Sequence, residues 1–120
     1  MVYASEHASL ATLELLVHVG RSSVLPAYVL FQCSFDDVLV SMLDRAYLPP
    51  DWRRYPAPAV LQTIGVDWLR GSRSAVLAVP SAILEMELNY LLNPAHPDFE
   101  RIAISPPRPL GLDARLARSM

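Results

Sequence analysis

The chain predicts a single compact domain of the α+β class, with mixed α/β packing rather than a doubly wound sheet. Three observations carry that expectation. Residues 6–19 and 57–69 read as two largely apolar helices. Short runs of β-branched, aromatic and other apolar residues, bounded by Pro, Gly or Asp, fall between and after them. The 120 residues, 52% hydrophobic and 18% charged, suffice for one buried core but not for two. Short strands with helices at one end and along one side fit this class.

The first element is a strand, "VYAS". Ser5 is the expected N-cap of the following helix, which runs from Glu6 to Val19, with Gly20 supplying the turn beyond it. Leu10, Leu13, Leu16 and Val17 cover one side of this helix. Ala11, Leu15 and Val19 extend the apolar surface almost all round, as for a helix packed on a sheet and partly covered on its other side. "AYVLFQCSF" is the next strand, ended by Asp36-Asp37, and "VLVSMLDRAYL" reads as mixed. "PPDWRRYPAPA" is an ordered loop, and the helix from Ala57 to Leu69 is stopped by Gly71. "SAVLAVPS" is a buried strand, "LEMELNYLLNP" a second, "HPDF" a turn and "RIAI" a third. The Pro-rich "SPPRPLG" then leads to the tail.

Composition excludes several function classes. A net charge of −2 without a basic stripe argues against nucleic acid as a direct partner. No apolar run approaches the ~18 residues of a membrane span, and no secretory signal opens the chain. Cys33 is the only cysteine, which rules out an internal disulfide and fits a reducing, cytoplasmic setting. A buried structural thiol is its expected role. The chain opens directly on a strand-to-helix corner, which predicts further residues upstream of Met1.

The candidate chemistry starts from "LATLELLVH", where one carboxylate, Glu14, interrupts an otherwise apolar run. His7, Glu14 and His18 fall near one helix face, but His7 is two turns from the other pair. No metal is expected, and a surface Glu–His pair accounts for His18. There is no Gly-x-Ser-x-Gly elbow and no phosphate-cradling glycine loop. What remains is a set of polar residues in apolar surroundings: Tyr3, Glu14, Ser81, Asn89 and Asn93. Each also has an ordinary reading, with Tyr3 in the core, Ser81 forming a turn after Pro80 and Asn93 a turn before Pro94. Trp52, Arg53 and Arg54 could likewise offer phosphate contacts or simply form a solvated loop.

"VYASEHASLATLELLVH", "LPPDWR", "TIGVDWLRGSRSAVLAVPS", "LNYLLNPAHPDF" and "LDARL" together resemble the RES-domain family, from Met1 to about Leu116. The resemblance implies the toxin half of a bacterial type II toxin–antitoxin module, in a fold similar to the ADP-ribosyltransferase toxins. It implies NAD as substrate, cleaved at the nicotinamide–ribose bond, with ADP-ribose passed to water, phosphate or a protein. Glu14 matches the family glutamate, Ser81 the family serine and Tyr3 the tyrosine eleven positions before the glutamate. Asn89 and Asn93 fall in the block after the serine, and Leu84 stands where a second proline is common. The family normally opens on a strand pair and a Gly-Gly-Arg-Trp-like segment carrying its arginine. No residue here receives that arginine, so an N-terminally shortened member is expected.

On this resemblance, Glu14 opposes the positive charge that builds on the ribose as the bond breaks, as in glycosidase transition states. At ~4 Å and an effective dielectric of ~20 that is about 4 kcal/mol, or on the order of a thousandfold in rate. Tyr3 stacks on nicotinamide, Ser81 hydrogen-bonds the ribose or the amide, and Asn89 is a further NAD-binding residue. A small helix-turn-helix (Xre-like) antitoxin and a homodimer are the implied partners. A catalytically inactive member that only binds its antitoxin is the alternative, and an unrelated α+β binding module a third reading. An in-frame Gly-Gly-Arg-Trp-like extension upstream, beside a helix-turn-helix gene, would favour the first.

Overall fold

The computed structural model describes residues 1–19 and 27–116. Strand β1 (Val2–Ser5) leads into helix α1 (Ala8–Val19). The helix starts two residues later than expected because Glu6 stays with the sheet. Its N–H donates to Leu88 O at 3.1 Å, and its Oε1 accepts from Leu88 N at 2.7 Å. The Ala11 N–H bonds back to His7 O, so the first helical turn is built on His7, not on Ser5. Leu10 is fully buried under α1, whereas Leu13 and Val17 are exposed, so the outer side of the helix is less covered than its apolar sequence predicts. The expected turn at Gly20 lies outside the described residues.

The single strand expected at 27–35 is two short ones, β2 (Tyr28–Leu30) and β3 (Cys33–Ser34). They pair with different partners, β8 (Arg108–Leu110) and β7 (Ala103–Ile104), each antiparallel. Between them, Gln32 exchanges bonds with Ser105 through its N–H and carbonyl, so the chain switches partner without losing its polar contacts. The Pro-rich segment read as a lead to the tail therefore contains a strand. The mixed stretch is a short strand, β4 (Val40–Met42), flanked by 3-10 turns that Asp36 and Asp44 cap through their carboxylates.

Helix α2 (Ala59–Gly71) begins after Pro58, two residues later than expected, and includes Gly71. Its stop is Ser72, which adopts the left-handed conformation (φ 50°) and donates its N–H to Trp68 O. The buried Trp68 indole N–H donates to Ser74 Oγ, which donates in turn to Val76 O, so the turn after the helix is tied to the next strand.

That strand, β5 (Val76–Pro80), runs parallel to β4 and antiparallel to β6 (Leu88–Leu92), which pairs antiparallel with β1. The sheet order is β1-β6-β5-β4. Strand β6 starts four residues later than the expected "LEMEL" run, because 84–87 close a turn through a Glu87 N–H bond to Leu84 O. The register sorts the side chains onto two faces. Val76, Leu92, Val40 and Tyr90 join Leu39, Ile102, Phe35 and Phe99 in one core cluster. Leu77, Leu91 and Val79 pack with Trp68, Leu69 and Leu43 on the other face. Tyr3, Ser5 and Asn89 share this second face, because Tyr3 opposes Leu91 and Ser5 opposes Asn89. Among the described residues no helix is long and apolar enough to cross a membrane.

Candidate active site

Two turns into α1, the half-buried Glu14 carboxylate leans onto the second sheet face. Its Oε1 accepts from Ser81 Oγ at 2.9 Å and from Asn89 Nδ2 at 2.7 Å. The Asn89 Oδ1 accepts in turn from Ser5 Oγ at 2.6 Å. Four side chains from α1, β1, β6 and the end of β5 thus form one hydrogen-bonded chain. Among the described residues Glu14 Oε2 takes no hydrogen bond. A carboxylate in apolar surroundings is costly unless its oxygens are satisfied, and two converging donors meet that need at Oε1 alone.

The chain borders a cleft of about 510 Å³ between α1, α2 and the sheet, with Tyr3, Glu14 and Asn89 in its lining. Tyr3, on the edge strand, is 74% exposed. Most of the remaining wall is apolar, from Leu61, Leu77, Val79 and Leu91. Such a cavity, apolar with a few convergent polar groups, has the size and character of a small-molecule site.

Ser81 differs from expectation. It is fully buried and does not line the cleft. Its hydroxyl donates to Glu14 and accepts from the N–H groups of Ile83 (3.1 Å) and Leu84 (3.2 Å). Its one hydroxyl proton goes to the carboxylate. One side chain thus both closes the turn and bonds to Glu14. Asn93 is also buried and lies outside the cleft; its Oδ1 accepts from Ala95 N and its Nδ2 donates to Leu69 O.

The "DWRRY" loop divides its residues. Trp52 lines the cleft. Arg53 instead grips the segment after Ser81, with Nε donating to Ala82 O (2.9 Å), Nη2 to Ile83 O (3.2 Å) and Nη1 3.5 Å from Glu85. Arg54 pairs with Asp51. The phosphate-contact reading of Arg53 therefore gives way to a structural one. His18 and Gln62 also line the cleft, and neither was singled out as a ligand-facing residue. The i, i+4 spacing of Glu14 and His18 on one helix face was the available signal for the first. Nothing local marks Gln62.

His7 lies outside the cleft, so the His7–Glu14–His18 grouping does not form. Glu6, His7 and Glu87 instead bring their ligand atoms within 4.8 Å of one another at the start of α1. Cys33 is half-buried against the core, and that burial pushes its thiol pKa up.

A family model of the RES domain matches residues 1–113, nearly the whole described chain. The chain belongs to the RES-domain family. It is 40% identical to Toxin Res of Yersinia enterocolitica over 116 residues, covering 96% of this chain and 76% of that protein. It is 36% identical to Toxin Res of Photorhabdus laumondii over 119 residues, covering 98% and 76%. A protein of Sphingobium sp. named Prs ADP-ribosylating toxin is 36% identical over 121 residues, covering 98% and 75%. The matched stretch of the RES domain includes every residue of the Ser5–Asn89–Glu14–Ser81 chain.

Proposed function

We propose that this RES-domain protein is a toxin that consumes NAD by breaking the nicotinamide–ribose bond. The bonding pair between ribose C1′ and the quaternary nicotinamide nitrogen leaves with the nitrogen, giving neutral nicotinamide and an oxocarbenium-like ribose. Water, phosphate or a protein side chain then attacks C1′ and gives up its proton. The observation that carries this reading is Glu14: one oxygen held by Ser81 and Asn89, the other without a partner among the described residues, on a residue that lines the cleft. An oriented carboxylate beside the ribose stabilises the developing charge more than it stabilises bound NAD. Tyr3 offers its ring to the nicotinamide at the cleft wall, and Asn89 retains a second amide proton for a ribose hydroxyl. Ser81 acts through Glu14 rather than on NAD. The relative named as an ADP-ribosylating toxin supports the same substrate, and no step requires a metal.

The protein acts in the cytoplasm, where NAD is plentiful, and its partner is a small helix-turn-helix antitoxin of the Xre type, with a homodimer as the assembly it brings to that complex. One observation favours a second reading, in which the protein only binds the antitoxin: among the described residues no arginine lines the cleft to grip the NAD pyrophosphate bidentately. The experiment that separates them incubates the purified chain with NAD and follows nicotinamide by chromatography. Slow, time-dependent release is expected, because no arginine matches the family's, with free ADP-ribose, its phosphate adduct or a labelled protein identifying the acceptor. Intact NAD alongside a stable antitoxin complex would establish the second reading instead.

A further inference from the structure

The Asn89 amide sits between a group that can only accept and a group that can donate. A carboxylate has no proton to give, so the end of the amide facing Glu14 must be its NH₂. The carbonyl end then faces Ser5, whose hydroxyl supplies the matching donor at 2.6 Å. An amide and its flipped form have nearly the same shape, and the terminal torsion of asparagine is soft, so packing alone selects the orientation weakly. The flipped form would put Oδ1 against Glu14 Oε1, two acceptors in contact. Ser5 is placed to prevent this by the sheet register, which sets it directly opposite Asn89 on β1 and β6. It does not line the cleft, and its hydroxyl is not spent on capping α1, which begins three residues later.

From this we infer that Ser5 is a positioning residue: by fixing the Asn89 amide, it fixes the direction in which Glu14 presents its carboxylate to the cleft. The inference rests on the NAD-cleaving reading for its catalytic consequence, but not for its structural content. Ser5 touches neither substrate nor the reacting atoms. Its effect passes through one amide, so removing it should lower turnover and leave NAD affinity nearly unchanged.

The test compares Ser5→Ala and Ser5→Thr with the parent in the full 120-residue chain. The first readout is the pair of Asn89 side-chain N–H resonances in the unligated protein. They should be distinct and protected from exchange in the parent and in Ser5→Thr, and should shift and lose protection in Ser5→Ala. The second is nicotinamide release, where kcat should fall on the order of tenfold in Ser5→Ala, the effect of one lost hydrogen bond. KM should stay within about twofold, and Ser5→Thr should recover most of the parent kcat. Unchanged Asn89 resonances in Ser5→Ala would overturn the inference. So would a change confined to KM, or equal losses in the alanine and threonine variants. If the parent itself leaves NAD intact, the cleavage reading fails, and the resonances alone decide whether Ser5 orients Asn89.

Discussion

Glu14 and Ser81 are 67 positions apart in sequence and 2.9 Å apart in space. The contact joins a helix on one side of the cleft to the turn after a central strand on the other. It spans a half-buried carboxylate and a fully buried hydroxyl. Ser81 also spends its remaining capacity on two backbone N–H groups, so the loop after it and the carboxylate beside it are held by the same oxygen.

Replacing Glu14 with Gln keeps an oxygen to accept from Ser81 and Asn89 and removes the charge. Nicotinamide release should fall on the order of a thousandfold, from about 4 kcal/mol of lost charge stabilisation. Circular dichroism and the melting temperature should match the parent. Turnover within tenfold of the parent would show that another group stabilises the ribose cation.

Ser81→Ala removes one bond to Glu14 and strands the N–H groups of Ile83 and Leu84. Leaving these half-buried donors unpaired costs up to about 1–3 kcal/mol, so the urea midpoint should drop measurably. Activity should fall at temperatures well below the transition too. A variant as stable as the parent would mean that water satisfies both donors.

Arg53 holds two successive carbonyls, Ala82 and Ile83, with a fork that a single ammonium cannot reproduce. Arg53→Lys should therefore behave like Arg53→Met rather than like the parent. Both should raise amide hydrogen exchange across residues 82–87 and reduce nicotinamide release, while global stability changes little at this exposed site. Parent-like exchange in the lysine variant would show that one contact is enough.

Burial raises the pKa of Cys33, so its neutral thiol is favoured in the fold. A group whose acid form is favoured in this way contributes stability below its unfolded pKa and loses that contribution as pH climbs through the folded one. Alkylation by iodoacetamide near pH 8 should be slower than for an unfolded control, and should accelerate at higher pH than it does for that control. Equal rates at pH 8 would show the thiolate to be freely available.

Much of this arrangement is legible in the sequence, and the parts that are not share a cause. The single charge at Glu14 in an apolar helix marks a polar contact without saying with what. The strand runs around Val76 and Leu92 declare themselves by composition. Ser5 is misread because a serine just before helical sequence has the local signature of a cap, and only the pairing of Ser5 with Asn89 overrides it. The Pro-rich 106–110 segment is misread for the same kind of reason: an edge strand such as β8 tolerates proline where a central one would not. Gln62 and Trp52 face the cleft because of how α2 and the 48–58 loop are laid against the sheet, which no local pattern encodes.

The pair of hydrogen bonds between Glu6 and Leu88 fastens the base of α1 to β6 just before the helix begins. From Ala8 to Glu14 the helix rises about 9 Å, so it acts as a lever with its pivot in the sheet. A tilt of about 6° at that pivot would sweep Glu14 roughly 1 Å sideways, a displacement that can cost on the order of a hundredfold in rate. Pinning the base alone leaves that motion open. Ser81 and Asn89, meeting the lever on one oxygen at its far end, are the stop that closes it.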